Sequence, residues 1–92
     1  LVALDRSAEA LTDFATALRL NPTSAEAFWQ RGRLWSERGE HEKAAADFSW
    51  LLKLDPNSSD ALNLRGIEYA QLGQHAKAIA DFTRALSLSP DD

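Results

Sequence analysis

Residues 23–56 read TSAEAFWQRGRLWSERGEHEKAAADFSWLLKLDP, and residues 57–90 read NSSDALNLRGIEYAQLGQHAKAIADFTRALSLSP. Set in register at an offset of 34, the two stretches agree at fourteen positions. These are Ser24/Ser58, Ala27/Ala61, Arg31/Arg65, Gly32/Gly66, Gly39/Gly73, His41/His75, Lys43/Lys77, Ala44/Ala78, Ala46/Ala80, Asp47/Asp81, Phe48/Phe82, Leu52/Leu86, Leu54/Leu88 and Pro56/Pro90. Residues 1–22 continue the pattern backwards through Ala10, Asp13, Phe14, Leu18, Leu20 and Pro22. A fixed period of this length points to a repeat array, in which each unit buries its apolar face against its neighbour. The chain therefore reads as one array over residues 1–92: a partial unit at 1–22 that is mainly a second helix, full units at 23–56 and 57–90, and a tail at 91–92.

Each full unit reads as two helices. Ser24 is placed to cap a helix over residues 25–38, which Gly39 stops. A second helix over residues 42–54 ends before Pro56, whose ring cannot continue it and restricts Asp55. Ser58, Gly73 and the Ser89–Pro90 pair repeat the same punctuation. In the second helices Ala44, Phe48, Leu51, Leu52 and Ala78, Phe82, Ala85, Leu86 fall at helical spacing. Val2, Ile67 and Ile79 are the only β-branched aliphatic residues, too few for a sheet, so the fold is all-α. Gly32 and Gly66 stand in mid-helix, where glycine costs about 1 kcal/mol relative to alanine. That cost is offset if the missing side chain lets two helices approach, with Ala44 and Ala78 as the matching shallow surface.

Composition narrows the function classes. A net charge of -4, with ten basic residues among fourteen acidic ones, argues against a nucleic-acid or anionic-membrane surface. The absence of cysteine excludes disulfides and thiolate metal sites and leaves the compartment open. No run of about 18 apolar residues is present to insert in a bilayer. Leu1–Asp5 is a short apolar stretch without a basic flank or cleavage site, unlike a signal peptide. The lack of methionine, even at position 1, predicts a piece of a longer protein or a processed product. No Gly-rich phosphate loop and no nucleophile elbow appear, so the chain is expected to be non-catalytic and to need no cofactor.

These residues carry a resemblance to the tetratricopeptide repeat family, whose units have the same period. Counting Ala25 as the first position, the family's large, glycine, aromatic, alanine, aromatic, small and proline positions are Phe28, Gly32, Trp35, Ala44, Phe48, Leu51 and Pro56. Counting from Ser59 they are Leu62, Gly66, Tyr69, Ala78, Phe82, Ala85 and Pro90. Leu51 departs from the pattern, which puts a small residue there. The partial unit supplies Ala10, Phe14, Ala17 and Pro22. The resemblance implies a right-handed superhelical α-solenoid of antiparallel helix pairs, first helices lining a concave groove and second helices forming the back. It also implies a scaffold that holds a peptide or helix of another protein.

Carried over residue by residue, the family's groove positions are Glu26, Trp29, Arg33, Ser36 and Glu37, then Asp60, Asn63, Ile67, Ala70 and Gln71. Trp29 is the sharpest candidate, since tryptophan and arginine are typical hot-spot residues; its alternative role is to pack across the seam against the partial unit. One subset of the family clamps chaperone C-terminal carboxylates with lysine and asparagine. Trp29, Arg33 and Leu64 occupy those clamp positions here, so the resemblance does not extend to that function. Trp50, aligned with Thr16 and Arg84, is expected on the solvent-facing back, as a second contact surface or as a lone surface aromatic.

Arg31/Arg65 and Asp47/Asp81 recur together. An arginine at a position that normally prefers an apolar residue needs a partner, which predicts Arg31–Asp47 and Arg65–Asp81 ion pairs of structural role within each hairpin. His41 and His75 also correspond, but equivalent positions in stacked repeats are roughly 10 Å apart, too far to share one metal ion. Both read as loop residues near a helix start. Two functional readings follow: a protein-binding scaffold, or self-association through apolar array ends, with Ile79, Phe82 and Leu86 on the last helix. A third is an accessory segment of a larger protein.

Overall fold

Serine caps, left-handed glycines and prolines divide the chain into helices. The computed structural model describes residues 2–89, with side chains from Arg6 onward. Pro90, the tail at 91–92 and the side chains of the 1–5 stretch lie outside the described residues. The helices are α1 (Val2–Leu20), α2 (Ala25–Glu37), α3 (His41–Leu54), α4 (Ser59–Gln71) and α5 (His75–Leu88). Ser24 and Ser58 cap α2 and α4, their hydroxyl oxygens accepting from the N–H of Ala27 and Ala61 at 3.2 Å.

Gly39 and Gly73 both adopt φ +77°, which only glycine takes without a steric penalty. The N–H of Glu40 then reaches the Trp35 carbonyl at 2.9 Å, and that of Gly39 the Ser36 carbonyl at 3.0 Å. This is the Schellman arrangement, and it recurs at Gln74–Tyr69 and Gly73–Ala70. It reverses the chain within three residues. In the partial unit the equivalent position is Asp5, and Val2–Leu20 runs through as one uninterrupted helix.

Each helix packs on the next along the chain, α1 on α2, α2 on α3, α3 on α4 and α4 on α5. The result is a right-handed α-solenoid of antiparallel helix pairs, measuring 40 × 27 × 20 Å. Its core gathers Phe28, Ala44, Phe48, Leu51 and Ala61, flanked by Leu18, Trp29, Trp35, Leu52 and Leu64. Leu51, the departure from the small-residue pattern, is buried within that core. The mid-helix glycines allow the closest approach: a Cβ on Gly32 would stand 2.7 Å from Phe48 Cε1, and one on Gly66 the same distance from Phe82 Cε1. Both rings therefore occupy the space that a side chain at the glycine would need.

Candidate functional site

The first helices of the two full units, α2 and α4, are joined side by side through Ser36 and Glu68, 2.8 Å apart. Along α2, Glu26, Arg33 and Glu37 are exposed while Trp29 and Ser36 are half-buried. Along α4, Asp60, Asn63, Ile67 and Gln71 are exposed and Ala70 is half-buried. Five of these side chains line three separate depressions, whereas Ser36, Asp60, Ile67, Ala70 and Gln71 line none of the three. Trp29 and Glu26 line one of about 290 Å³ with Leu51, Leu54, Asp55 and Ser58. Arg33 and Glu37 line another of about 280 Å³ with Ala10, Phe14 and Leu34 of the α1–α2 seam. Asn63 lines a third, of about 300 Å³, with Phe82, Leu86 and Ser89. Trp29 thus looks toward the end of α3 and the start of α4, whereas Arg33 looks toward α1.

Beneath this surface the hairpins are held by two bidentate ion pairs. Arg31 Nε and Nη2 donate to Asp47 Oδ2 and Oδ1 at 2.8 and 2.7 Å. Arg65 repeats the fork on Asp81 at 2.8 Å for both bonds. In each case the hydrogen bonds to the aspartate raise the guanidinium pKa, outweighing the opposing effect of burial. Arg65 also donates from Nη1 to Ser49 Oγ at 3.1 Å, linking α4 back to α3.

Glu68 was not singled out in the sequence, yet its carboxylate is 2% exposed. Oε2 accepts from Ser36 Oγ at 2.8 Å, and Oε1 lies 2.6 Å from His41 Nδ1. His41 and His75 are the first residues of α3 and α5 rather than loop residues; His41 is half-buried and His75 exposed. The one available signal was the contrast with Leu34, the counterpart of Glu68 in the preceding unit. No group of three or more His, Cys, Asp or Glu side chains among the described residues is arranged for a metal.

Trp50 is solvent-facing, as its counterparts Thr16 and Arg84 led one to expect, but it is not without partners. It is 49% exposed, and its ring stacks on Phe28 with centroids 5.8 Å apart and planes 9° from parallel. Lys53 Nζ covers the other part of the indole, 4.5 Å from its centroid. Stacking buries half of a side chain that would otherwise be hydrated, so the aromatic is a lid on the α2–α3 hairpin.

Two profiles described as tetratricopeptide repeat match the chain, one over residues 1–49 and one over residues 59–92. No curated protein sequence matches it. Among solved structures, MamA superposes with a TM-score of 0.87 at 25% identity, covering 97% of this chain and 52% of MamA. YrrB, described as a TPR protein with an unusual peptide-binding site, gives 0.84 at 30% identity, covering 99% of this chain and 47% of YrrB. The first TPR of Spaghetti (RPAP3), bound to an HSP90 peptide, gives 0.86 at 19% identity, covering 99% of this chain and 72% of that one; at this identity the likeness is one of fold. The chain thus spans about half the length of the MamA and YrrB structures.

Proposed function

The chain belongs to the tetratricopeptide repeat family, and from this premise we propose that it is a non-catalytic interaction scaffold whose concave face receives a peptide or helix of another protein. The face would be lined by Glu26, Trp29, Arg33, Asn63 and Ile67, with Ser36, Glu37, Asp60, Ala70 and Gln71 at its margins. One observation carries this reading: Trp29 stands half-buried beside an open apolar depression instead of being sealed into the core. A fixed aromatic at such a place contributes large contact area at little entropic cost. The peptide-binding description of YrrB supports the same class of function. The HSP90 peptide bound by RPAP3 is not carried over, because Trp29, Arg33 and Leu64 replace the carboxylate-clamp residues.

The test is a Trp29→Ala variant assayed against a partner captured with the full-length array. Its affinity is expected to fall at least about tenfold, as for a typical hot spot. Unchanged affinity would remove Trp29 from the face.

A second reading rests on α5. Ile79 and Leu86 are 63% and 59% exposed, whereas their counterparts on α3, onto which α4 packs, are buried at Ala45 and half-buried at Leu52. A second copy stacking on α5 would cover the same surface. A monomer mass by light scattering that stays constant with concentration would reject self-association.

A further inference from the structure

We propose that the depression between the start of α2, the end of α3 and the cap of α4 is a subsite for one long basic side chain, arginine or lysine, of a partner peptide. This rests on the reading of the concave face as a peptide-binding surface and adds the chemistry of what it selects.

Size comes first. At about 290 Å³ the depression is at the lower limit of pockets that hold whole small molecules, and suits one extended side chain. Its walls are the indole of Trp29 and the aliphatic chains of Leu51 and Leu54, against which a methylene stem packs. Its rim carries two carboxylates, Glu26 and Asp55, and neither has a cationic partner within 4.0 Å among the described residues. Of the neighbouring cations, Lys53 lies over Trp50, Arg84 donates to the Pro56 carbonyl at 3.4 Å, and Arg33 lines the α1–α2 depression.

The helix dipoles separate the two acids. Glu26 sits in the first turn of α2, where a negative charge is stabilised without any ligand. Asp55 is the C-cap of α3, at the negative end of that dipole, where a carboxylate is unfavourable and a cation is favoured. Asp55 does accept from the Asn57 N–H at 3.2 Å through Oδ1, a bond that asparagine would supply equally. The negative charge itself is what the turn leaves unexplained.

The second unit serves as an internal control. There the same location has Asn63 for Trp29, Ala85 for Leu51 and Ser89 for Asp55. Ser59 and Ser89 bridge it with their hydroxyls 3.1 Å apart, whereas the first unit has Ala25 and Asp55 at those places. The second-unit depression is also floored by apolar residues, Phe82, Ala85 and Leu86; what it lacks are the tryptophan and the second carboxylate, replaced by Asn63 and Ser89.

The experiment uses the ¹⁵N-labelled protein and three blocked peptides that differ only at a central arginine, citrulline or glutamate flanked by leucine and alanine. The indole N–H resonances of Trp29, Trp35 and Trp50 are followed during titration. The arginine peptide is expected to shift Trp29 selectively and to bind at least about fivefold tighter than the citrulline peptide and more so than the glutamate one. Glu26→Gln and Asp55→Asn should each erase about a twofold to fivefold part of that preference for arginine over citrulline. If all three peptides shift Trp29 with equal affinity, the concave-face reading stands and the basic subsite falls. If the peptides shift α2 and α4 resonances but not Trp29, the subsite likewise falls alone. If none perturbs either helix at 10-fold molar excess over the highest Kd the method reads, about 10 mM, both readings fall together.

Discussion

Glu68 Oε1 and His41 Nδ1 lie 2.6 Å apart across the seam between the two full units, and the second carboxylate oxygen is held by Ser36. One buried acid thus ties α2, α3 and α4 together. Removing His41 leaves a buried carboxylate with one partner, which costs about 1–3 kcal/mol. His41→Ala is therefore expected to lower the urea-unfolding free energy by that amount. His75→Ala, on an exposed side chain, should fall within about 0.5 kcal/mol of the parent. Equal effects at the two histidines would refute the role given to Glu68.

The arginine forks offer a second contrast. Asp47 and Asp81 are buried, and each arginine side chain is about a quarter exposed, at 23% and 22%. Truncating one partner strands the other, so Asp47→Ala or Asp81→Ala should cost about 2–4 kcal/mol, somewhat below a fully buried pair. Arg31→Lys should recover little, because a lysine cannot make both bonds of the fork. A raised folded-state pKa gives stability that is present below the unfolded value and lost only as pH rises through the folded one. For these guanidinium groups that window lies at strongly alkaline pH. Titration of the guanidinium groups should therefore add no slope to stability around neutral pH, which denaturation of Arg31→Lys and parent in parallel would reveal.

At Gly32 the sign of an alanine substitution depends on which effect is larger. Alanine gains about 1 kcal/mol in helix propensity. Its Cβ would meet the Phe48 ring at 2.7 Å in a fully buried place, and such overpacking costs about 1–3 kcal/mol. Gly32→Ala is expected to be net destabilising, and Phe48→Leu in the same chain should restore part of the loss. A Gly32→Ala variant with a higher Tm than the parent would show that the ring yields freely.

For α5, Ile79→Lys and Leu86→Lys change residues that are mostly solvated in the single chain. Each should alter unfolding free energy by no more than about 0.5 kcal/mol. If copies stack on this face, the same variants should abolish the concentration-dependent rise in mass seen by light scattering. Persistence of that rise would locate the contact elsewhere.

How far these features were legible in the residues depends on what periodicity can encode. Helix boundaries follow from Ser24, Gly39 and Pro56 because caps and left-handed turns are local chemistry. A close helix approach at Gly32 and Gly66 was readable because both glycines recur at the same offset, but the expected facing residues were Ala44 and Ala78, whereas the first atoms a Cβ would meet belong to Phe48 and Phe82. Helix ends moved by one residue: Arg38 caps α2, and His41 begins α3. The Ser36–Glu68–His41 cluster was not readable. It joins residues 32 and 27 positions apart that belong to different units, and no spacing rule names such partners. The exposure of Trp50 was legible from its counterparts Thr16 and Arg84, whereas its stacking was not, since that depends on Phe28, which is leucine in the next unit. The three depressions were not legible either, since each is bounded by residues of two or three helices that no spacing rule brings together.

A repeat array can be regarded as a short one-dimensional lattice, with an intrinsic term for each unit and a coupling term for each junction. The arginine forks belong to the first kind, since both partners lie in one hairpin. Glu68, with the bond from Arg65 to Ser49, belongs to the second. Concentrating polar contacts at the junction suppresses states in which one hairpin is open and its neighbour closed. Hydrogen exchange of α2 and α4 amides should therefore share one opening free energy, and cutting the junction at Glu68 should split it into two.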